Sequence, residues 1–415
     1  MAEQELQIEV RNLWKVFGNK PERALDPSLA SRSRSAIQED LGLVVALRDV
    51  SFQVNRGEIF VVMGLSGSGK STLVRCLIRL IEPTSGAVRY DGADIFGFTP
   101  KQLIQFRRQK VAMVFQHYGL LPHRRVLDNV AYGLEIRGLE KETRYKAAAA
   151  AIERVGLKGW EDYFPNEMSG GMQQRVGLAR ALAVDPEVLL MDEPFSGLDP
   201  LIRREMQDDL ISLESELHKT IVFITHDFNE ALKIGDRIAI MRDGEIVQQG
   251  SPEEIVTRPA DDYVAQFVKD VSKAKIIHAE AIMQEPQAVV QEGQAPEAAL
   301  QAMRNADTDR VFLLGQSGIL QGILTAERVT ALVHQHVTGL EQVQTEPVMT
   351  VGPTDSLEKI VPMAARTEHP IAVIDDQGRL VGEVHRGALL AGMVEGGAGA
   401  ASTGSDEENG PWERK

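Results

Sequence analysis

The chain has 415 residues, 43% of them apolar, and carries 60 acidic against 45 basic side chains, a formal charge of −15. That length has room for two or three domains, each with its own core, and the composition excludes a fibrous or disordered chain. The acidic balance, without a basic stripe, excludes a nucleic-acid binder, and apolar runs such as Ile59–Met63 and Ile371–Ile374 fall far below the roughly 20 residues of a membrane span.

The first twenty residues are charged from Glu3 onward and lack the apolar core of a secretory signal, which predicts a chain that stays in the cytoplasm. A stretch at 19–43 then interrupts an otherwise regular pattern. Its middle has helical character, and no role follows from its residues. The apolar run at 58–63 predicts a strand, the glycines of GLSGSGKST at 64–72 a loop, and the residues from Ser71 to Ile81 a helix. Strand, glycine loop and helix in that order make a phosphate-binding loop, formed here by Gly64, Leu65, Ser66, Gly67, Ser68, Gly69, Lys70, Ser71 and Thr72. The glycines let backbone N–H groups wrap the β- and γ-phosphates of ATP, where a Cβ would block close approach. Lys70 reaches the phosphate oxygens and the Ser71 hydroxyl ligates Mg²⁺. The one cysteine, Cys76, lies among Leu73, Leu77 and Leu80 on the following helix and reads as a core residue.

Farther along, the run KVAMVFQ at 110–116 ends in Gln116, placed where a loop leaves the sheet and able to reach Mg²⁺ or the attacking water. His117, Tyr118 and His123 follow, as a partner contact or as ordinary surface. At 169–171, Ser169, Gly170 and Gly171 open another helix, a second anion-binding helix end. One nucleotide needs one such loop. The second makes sense if it closes over the ATP of a partner chain, which makes this chain half of a two-chain ATPase. VLLMDEP at 188–194 puts Asp192 at the carboxyl edge of a strand, where open α/β sheets place ligand groups, to hold Mg²⁺ through water. Glu193 follows, fixed by Pro194, as the general base that orients the attacking water. His226 ends TIVFITH and is placed to bond the γ-phosphate from the far side. Short β-rich runs alternating with helices over the first 255 residues predict an α/β fold with a mainly parallel sheet.

After Asp270 the pattern changes to a repeat with an offset of 60 residues: DRVFLLGQSGILQGIL at 309–324 aligns with HPIAVIDDQGRLVGEV at 369–384. Each copy reads helix, strand, turn, strand, helix, and one alone would leave its sheet face exposed. From Ile276 onward 20 acidic residues stand against 9 basic ones, so this is the acidic part of the chain. The tail from Gly396 is rich in Gly, Ser and acid, and is expected to be disordered.

Over at least residues 6–265 the set GLSGSGKST, Gln116, SGG at 169–171, Asp192-Glu193, SGLD at 196–199 and His226 resembles the ATP-binding subunits of ABC transporters. The resemblance implies a P-loop ABC-type nucleotide-binding domain with a helical subdomain at about 103–179. It implies further that Phe17 stacks on adenine and that Asp199 lies at the interface linking two ATP sites. The signature departs from the common LSGGQ in having Met168 before the serine and Met172 after the glycines. The groups that face phosphate are kept.

A narrower resemblance covers nearly the whole chain: the 19–43 stretch, MGLSGSGKSTLVRCLIRLIEPTSG, MDEPFSGLDPLIRREMQDDL, IGDRIAIMRDGEIVQQG and the paired repeat look like the ATPase subunit of glycine betaine/proline betaine importers. It implies ATP hydrolysis with Mg²⁺, coupled to uptake of glycine betaine, proline betaine, carnitine or choline; an importer of another solute, such as an amino acid, would use the same engine. Two copies would pair head to tail, joined by two transmembrane permease subunits and an extracytoplasmic substrate-binding protein, with no nucleic acid, at the cytoplasmic face of the inner membrane. The expected layout is an ATPase at 1–270, a tandem CBS pair at 276–335 and 336–395, and a tail at 396–415. Nucleotide-binding CBS modules carry a ribose-gripping Asp three residues after a Thr or Ser; here Arg328 follows Thr325, and the second repeat has His385 and Ala388. In that family the module is linked to osmotic or ionic control.

Overall fold

The computed structural model describes residues 5–29, 32–116, 119–269, 271–341 and 343–395. The chain divides into two compact units, Met1–Ile255 with Pro259–Val271, and Val256–Arg258 with Ser272–Lys415. His117, Tyr118 and the tail from Gly396 lie outside the described residues. No helix among the described residues is long and apolar enough to cross a membrane.

From the amino end the elements run β1 (Leu6–Phe17), α1 (Arg34–Leu41), β2 (Val44–Asn55), β3 (Ile59–Met63), α2 (Lys70–Leu77), β4 (Ser85–Tyr90), β5 (Ala93–Asp94), α3 (Pro100–Gln109) and β6 (Val111–Val114). Then come α4 (Val126–Ile136), α5 (Lys141–Arg154), α6 (Gly170–Ala183), β7 (Val188–Asp192), α7 (Pro200–Leu217), β8 (Thr220–Thr225), α8 (Phe228–Ile234), β9 (Arg237–Arg242), β10 (Glu245–Gly250), α9 (Pro252–Thr257) and α10 (Asp262–Val268). The strands form a six-stranded sheet of order β10-β9-β3-β8-β7-β6. All its neighbours pair parallel except β10 with β9. Every residue of β3, β7 and β8 is buried, as expected of central parallel strands covered on both faces.

A second sheet, of order β2-β1-β4-β5 and antiparallel throughout, was not expected. Its strands alternate buried and exposed residues with bulges, a weaker signal than a continuous apolar run. Both sheets and α2 share one core, in which Phe52 of β2 stacks on Phe60 of β3 with centroids 4.9 Å apart. Cys76 is fully buried in it, and burial pushes its thiol pKa up to about 12, which makes it inert.

Two boundaries differ from expectation. The helix expected to reach Ile81 ends at Leu77 because Arg79 takes a left-handed φ of 53° and the N–H groups of Leu80 and Ile81 both fold back to the Arg75 carbonyl. The helical subdomain expected from about residue 103 starts later. Val111–Val114 inside that span is a strand paired with β7 at the sheet edge, and the helical group is α4, α5 and α6, from Val126 to Ala183.

In the second unit the elements are α11 (Ala279–Ile282), β11 (Val289–Gln291), α12 (Pro296–Asn305), β12 (Arg310–Leu314), β13 (Leu320–Thr325), α13 (Ala326–His334), β14 (Thr350–Val351), α14 (Leu357–Ala364), β15 (Ile371–Ile374), β16 (Leu380–Val384) and α15 (Arg386–Glu395). Each repeat contributes one three-stranded sheet, β11-β12-β13 and β14-β15-β16. Phe312 and Ile323 of the first and Ala372 of the second close a shared core, so the sheet faces that would be exposed in a single copy cover each other.

Candidate active site

The phosphate loop connects β3 to α2 and is shaped by close backbone packing. A Cβ on Gly64 would lie 2.3 Å from the Met241 carbonyl, and one on Gly69 would lie 2.5 Å from that of Ala46. Both glycines have positive φ, 153° and 107°, so no other residue fits either place. Lys70 is 4% exposed. Its Nζ donates to the carbonyls of Gly64 (2.7 Å) and Leu65 (3.0 Å) and lies 3.9 Å from Glu193 Oε1. Burial lowers the Lys70 pKa, while Glu193 and Asp192 oppose that shift.

Ser71 Oγ donates to Asp192 Oδ1 at 2.9 Å. Asp192 ends β7, is 3% exposed, and has its pKa raised by burial, with the Ser71 bond acting the other way. This hydroxyl–carboxylate pair is an all-oxygen donor set that suits Mg²⁺. Among the described residues no group of three or more His, Cys, Asp or Glu could hold a metal ion.

Glu193 follows with a left-handed φ of 48°, its N–H bonded to the Ile224 carbonyl of β8 at 2.9 Å. Such a backbone, unusual outside glycine, turns the side chain away from the strand direction. His226 Nδ1 lies 3.0 Å from Glu193 Oε2, and Gln116 Nε2 donates to the same oxygen at 3.4 Å and to Ser196 Oγ at 3.3 Å. Lys70, Ser71, Gln116, Asp192, Glu193 and His226 are therefore brought to one sheet edge. Gln116 joins the Glu193 side of the site, not the Ser71–Asp192 pair.

Ser169, Gly171, Asp199 and Phe17 make contacts of their own. Ser169 caps α6, accepting from the Met172 N–H at 3.4 Å, and its hydrogen bonds among the described residues are local. A Cβ on Gly171 would lie 2.6 Å from Ile202 Cγ2, so this helix start packs closely on α7. Asp199 caps α7, accepting from the N–H groups of Leu201 and Ile202 at 3.1 Å each. Phe17 ends β1, 42% exposed, with Lys15 Nζ 4.7 Å from its ring centroid.

Sequence reading missed the side chains that hold these groups in place. Asn129 of α4, fully buried, accepts from the Leu121 N–H and donates to the carbonyls of Leu121, Arg124 and Arg125, pinning the loop over residues 121–125. Arg180 of α6 donates to the Gly119 carbonyl, two residues before Leu121, at 2.6 Å. Behind His226, Glu230 is 5% exposed with its pKa raised by burial; it accepts from Thr225 Oγ1 and, at 3.0 Å, from Gln207 Nε2 of α7. Arg203 of α7 donates to Asp227 at 3.3 Å. The one available signal was a polar residue inside an apolar helix, as Asn129 is in VLDNVAYGLEI.

The second unit has a cleft of about 570 Å³ lined by Asp309, Arg310, Glu368, His369, Glu383 and His385 among others. Thr325 caps α13, accepting from the Arg328 N–H at 3.4 Å. Glu383 is 2% exposed and accepts from the Gln287 N–H at 2.8 Å; His385 Nε2 lies 3.1 Å from its Oε1. Glu383 raises the His385 pKa, against burial and the nearby Arg310 charge. A raised folded-state value means that the stabilisation is complete below the ordinary histidine pKa and is lost as pH rises through the folded-state value. Hydrogen exchange of β16 in the full chain should accelerate beyond the intrinsic rate increase as pH rises above the ordinary histidine pKa, and His385→Gln should remove that excess. An unchanged excess in the variant would assign the effect elsewhere.

The family model described as ABC transporter matches residues 47–196, and the one described as CBS domain matches 340–395. The glycine betaine/carnitine transport ATP-binding protein of Listeria monocytogenes is 48% identical over 387 residues, 93% of this chain and 97% of that protein. The glycine betaine transport ATP-binding protein of Bacillus subtilis is 42% identical over 98% of this chain and 97% of its own length. A trimethylamine N-oxide transport system ATP-binding protein of Ruegeria pomeroyi is 55% identical over 70% of this chain and 85% of its own. Among solved structures, a dimeric bacterial ABC transporter cassette matches with a TM-score of 0.51 at 31% identity, covering 59% of this chain and 98% of that one.

Proposed function

This chain belongs to the ATP-binding subunits of ABC transporters, among the glycine betaine transport ATP-binding proteins, and from that premise we propose that its ATP hydrolysis powers uptake of a quaternary-amine osmolyte through a membrane permease. The observation that carries the chemistry is the convergence of Lys70, Ser71, Asp192, Glu193, Gln116 and His226 at one sheet edge. The relatives' names supply the solute class: glycine betaine, proline betaine, carnitine, choline and trimethylamine N-oxide all present a methylated nitrogen centre.

In this reading the amides of the 64–72 loop bind the β- and γ-phosphates, Lys70 leaves its two carbonyl partners for phosphate oxygens, and the half-exposed Phe17 ring stacks on adenine. Ser71 and Asp192 would hold Mg²⁺, with Gln116 moving toward it as the site closes; the ion would offset charge on the phosphates. Glu193, held by Gln116 and His226 on one oxygen, accepts a proton from the attacking water. His226 faces the γ-phosphate. Ser169, Gly170 and Gly171 present their helix end to the ATP of a second copy, and Asp199 sits where the two sites meet. Closure moves α6, and Arg180 and Asn129 carry that movement to residues 119–125, against which two permease subunits would dock at the cytoplasmic face of the inner membrane. A substrate-binding protein outside the cell would deliver the solute, which never touches this chain.

The layout proposed is an ATPase over 1–270 and a CBS pair over 276–395 that reads ionic strength. In reconstituted vesicles, glycine betaine with its binding protein should stimulate hydrolysis, and amino acids should not; stimulation by amino acids alone would move the chain to another solute class. Across a range of luminal salt, a chain ending at Asp270 should run at all concentrations and the full chain should switch on with salt. Equal salt response in both would remove the sensor role from the C-terminal pair.

A further inference from the structure

From the stretch at 19–43, which has no role in the sequence, α1 reaches the phosphate loop through one side chain. Two short 3-10 turns and α1 close a small core of Val16, Ala24, Ile37, Leu43 and Val45. Ser33 caps α1, accepting from the Ala36 N–H at 3.2 Å, and Gly42 ends it with a φ of 65°. With both ends and Ile37 fixed, the first residue of the helix, Arg34, has a defined direction. Its Nη1 donates to the Gly67 carbonyl at 3.3 Å and lies 3.9 Å from Asp243 Oδ1, with the side chain 22% exposed.

Gly67 is the middle glycine of the loop and differs from the other two. Gly64 and Gly69 are backed by the Met241 and Ala46 carbonyls, whereas a Cβ on Gly67, at φ 80°, would meet nothing within 4 Å. Close packing therefore excludes a side chain at the first and third glycines, and no such packing bears on the middle one. The Gly67 carbonyl and the Ser68 N–H belong to one peptide plane. The N–H bonds the Leu65 carbonyl at 3.2 Å, and Arg34 takes the other end. A guanidinium on a carbonyl is a charge-assisted bond, stronger than an ordinary amide one.

We propose that Arg34 is a positioning residue for ATP: by holding the Gly67 carbonyl, it fixes the shape of the phosphate loop that receives the nucleotide. The inference rests on reading residues 64–72 as the ATP loop. Arg34 acts through the loop and does not touch the reacting atoms, so it affects ground state and transition state alike.

The test is steady-state hydrolysis by the assembled transporter carrying Arg34→Ala or Arg34→Lys, with direct titration of a fluorescent ATP analogue onto each full-length chain. Arg34→Ala should raise KM and the analogue Kd about tenfold, with kcat changed less than about twofold. Arg34→Lys, which keeps one charged donor, should recover most of that loss. An Arg34→Ala KM within about twofold of wild type overturns the proposal. So does an equal fall in kcat and melting temperature in both variants, which marks a merely structural residue. Failure of the wild-type chain to bind the analogue would instead overturn the ATP reading itself.

Discussion

Replacing Glu193 by Gln should lower ATP turnover by roughly 10²–10⁴-fold, the range for removing a positioned general base, while leaving ATP binding near wild type. The geometry separates the two effects. Glu193 shares an oxygen with His226 and Gln116 and stands 3.9 Å from Lys70 Nζ, but the loop amides and the Ser71–Asp192 pair do not depend on it. Glutamine is close to isosteric and can still bond both partners; it cannot take a proton from water at neutral pH. The variant should therefore bind ATP and accumulate as the closed, ATP-loaded pair. Turnover within about threefold of wild type would assign the proton to another group.

Lys70→Ala should fail one step earlier. The ammonium is almost completely buried and satisfied by two carbonyls of its own loop, so the loop is preorganised around a cation. Truncating one side of such a charged contact costs about 2–5 kcal/mol, which corresponds to a rise in ATP Kd of roughly 30-fold or more. Isothermal titration should show weak or no binding for Lys70→Ala and near-normal binding for Glu193→Gln. Equal binding by both would mean that Lys70 faces its carbonyls in every state.

How much of this was legible in the chain follows from how local each signal is. The phosphate loop is written in nine consecutive residues, and the acidic strand end in seven, so both could be read directly. Asn129, Arg180 and Glu230 act through partners on other elements or through backbone carbonyls, and the residue types of Arg180 and Glu230 are ordinary for a solvated helix. The antiparallel sheet escaped because β1 and β2 are separated by the 19–43 stretch and both carry bulges that break the two-residue alternation. The same stretch gave no signal because its function, if Arg34 carries it, lies in one contact to a residue 33 positions away. The early end of α2 depends on the left-handed Arg79, which its residue type does not announce.

In the proposed mechanism ATP is cut between two copies, Lys70 from one and Ser169 from the other. The most direct measurement mixes two inactive full-length chains, Lys70→Ala and Ser169→Arg, in the assembled transporter and assays hydrolysis. If the groups act across the pair, each mixed pair has one site with both defects and one with neither. With random pairing, activity should return to about a quarter of wild type. If Lys70 and Ser169 serve the same site from one chain, every site in the mixture stays defective, and an inactive mixture would contradict the account.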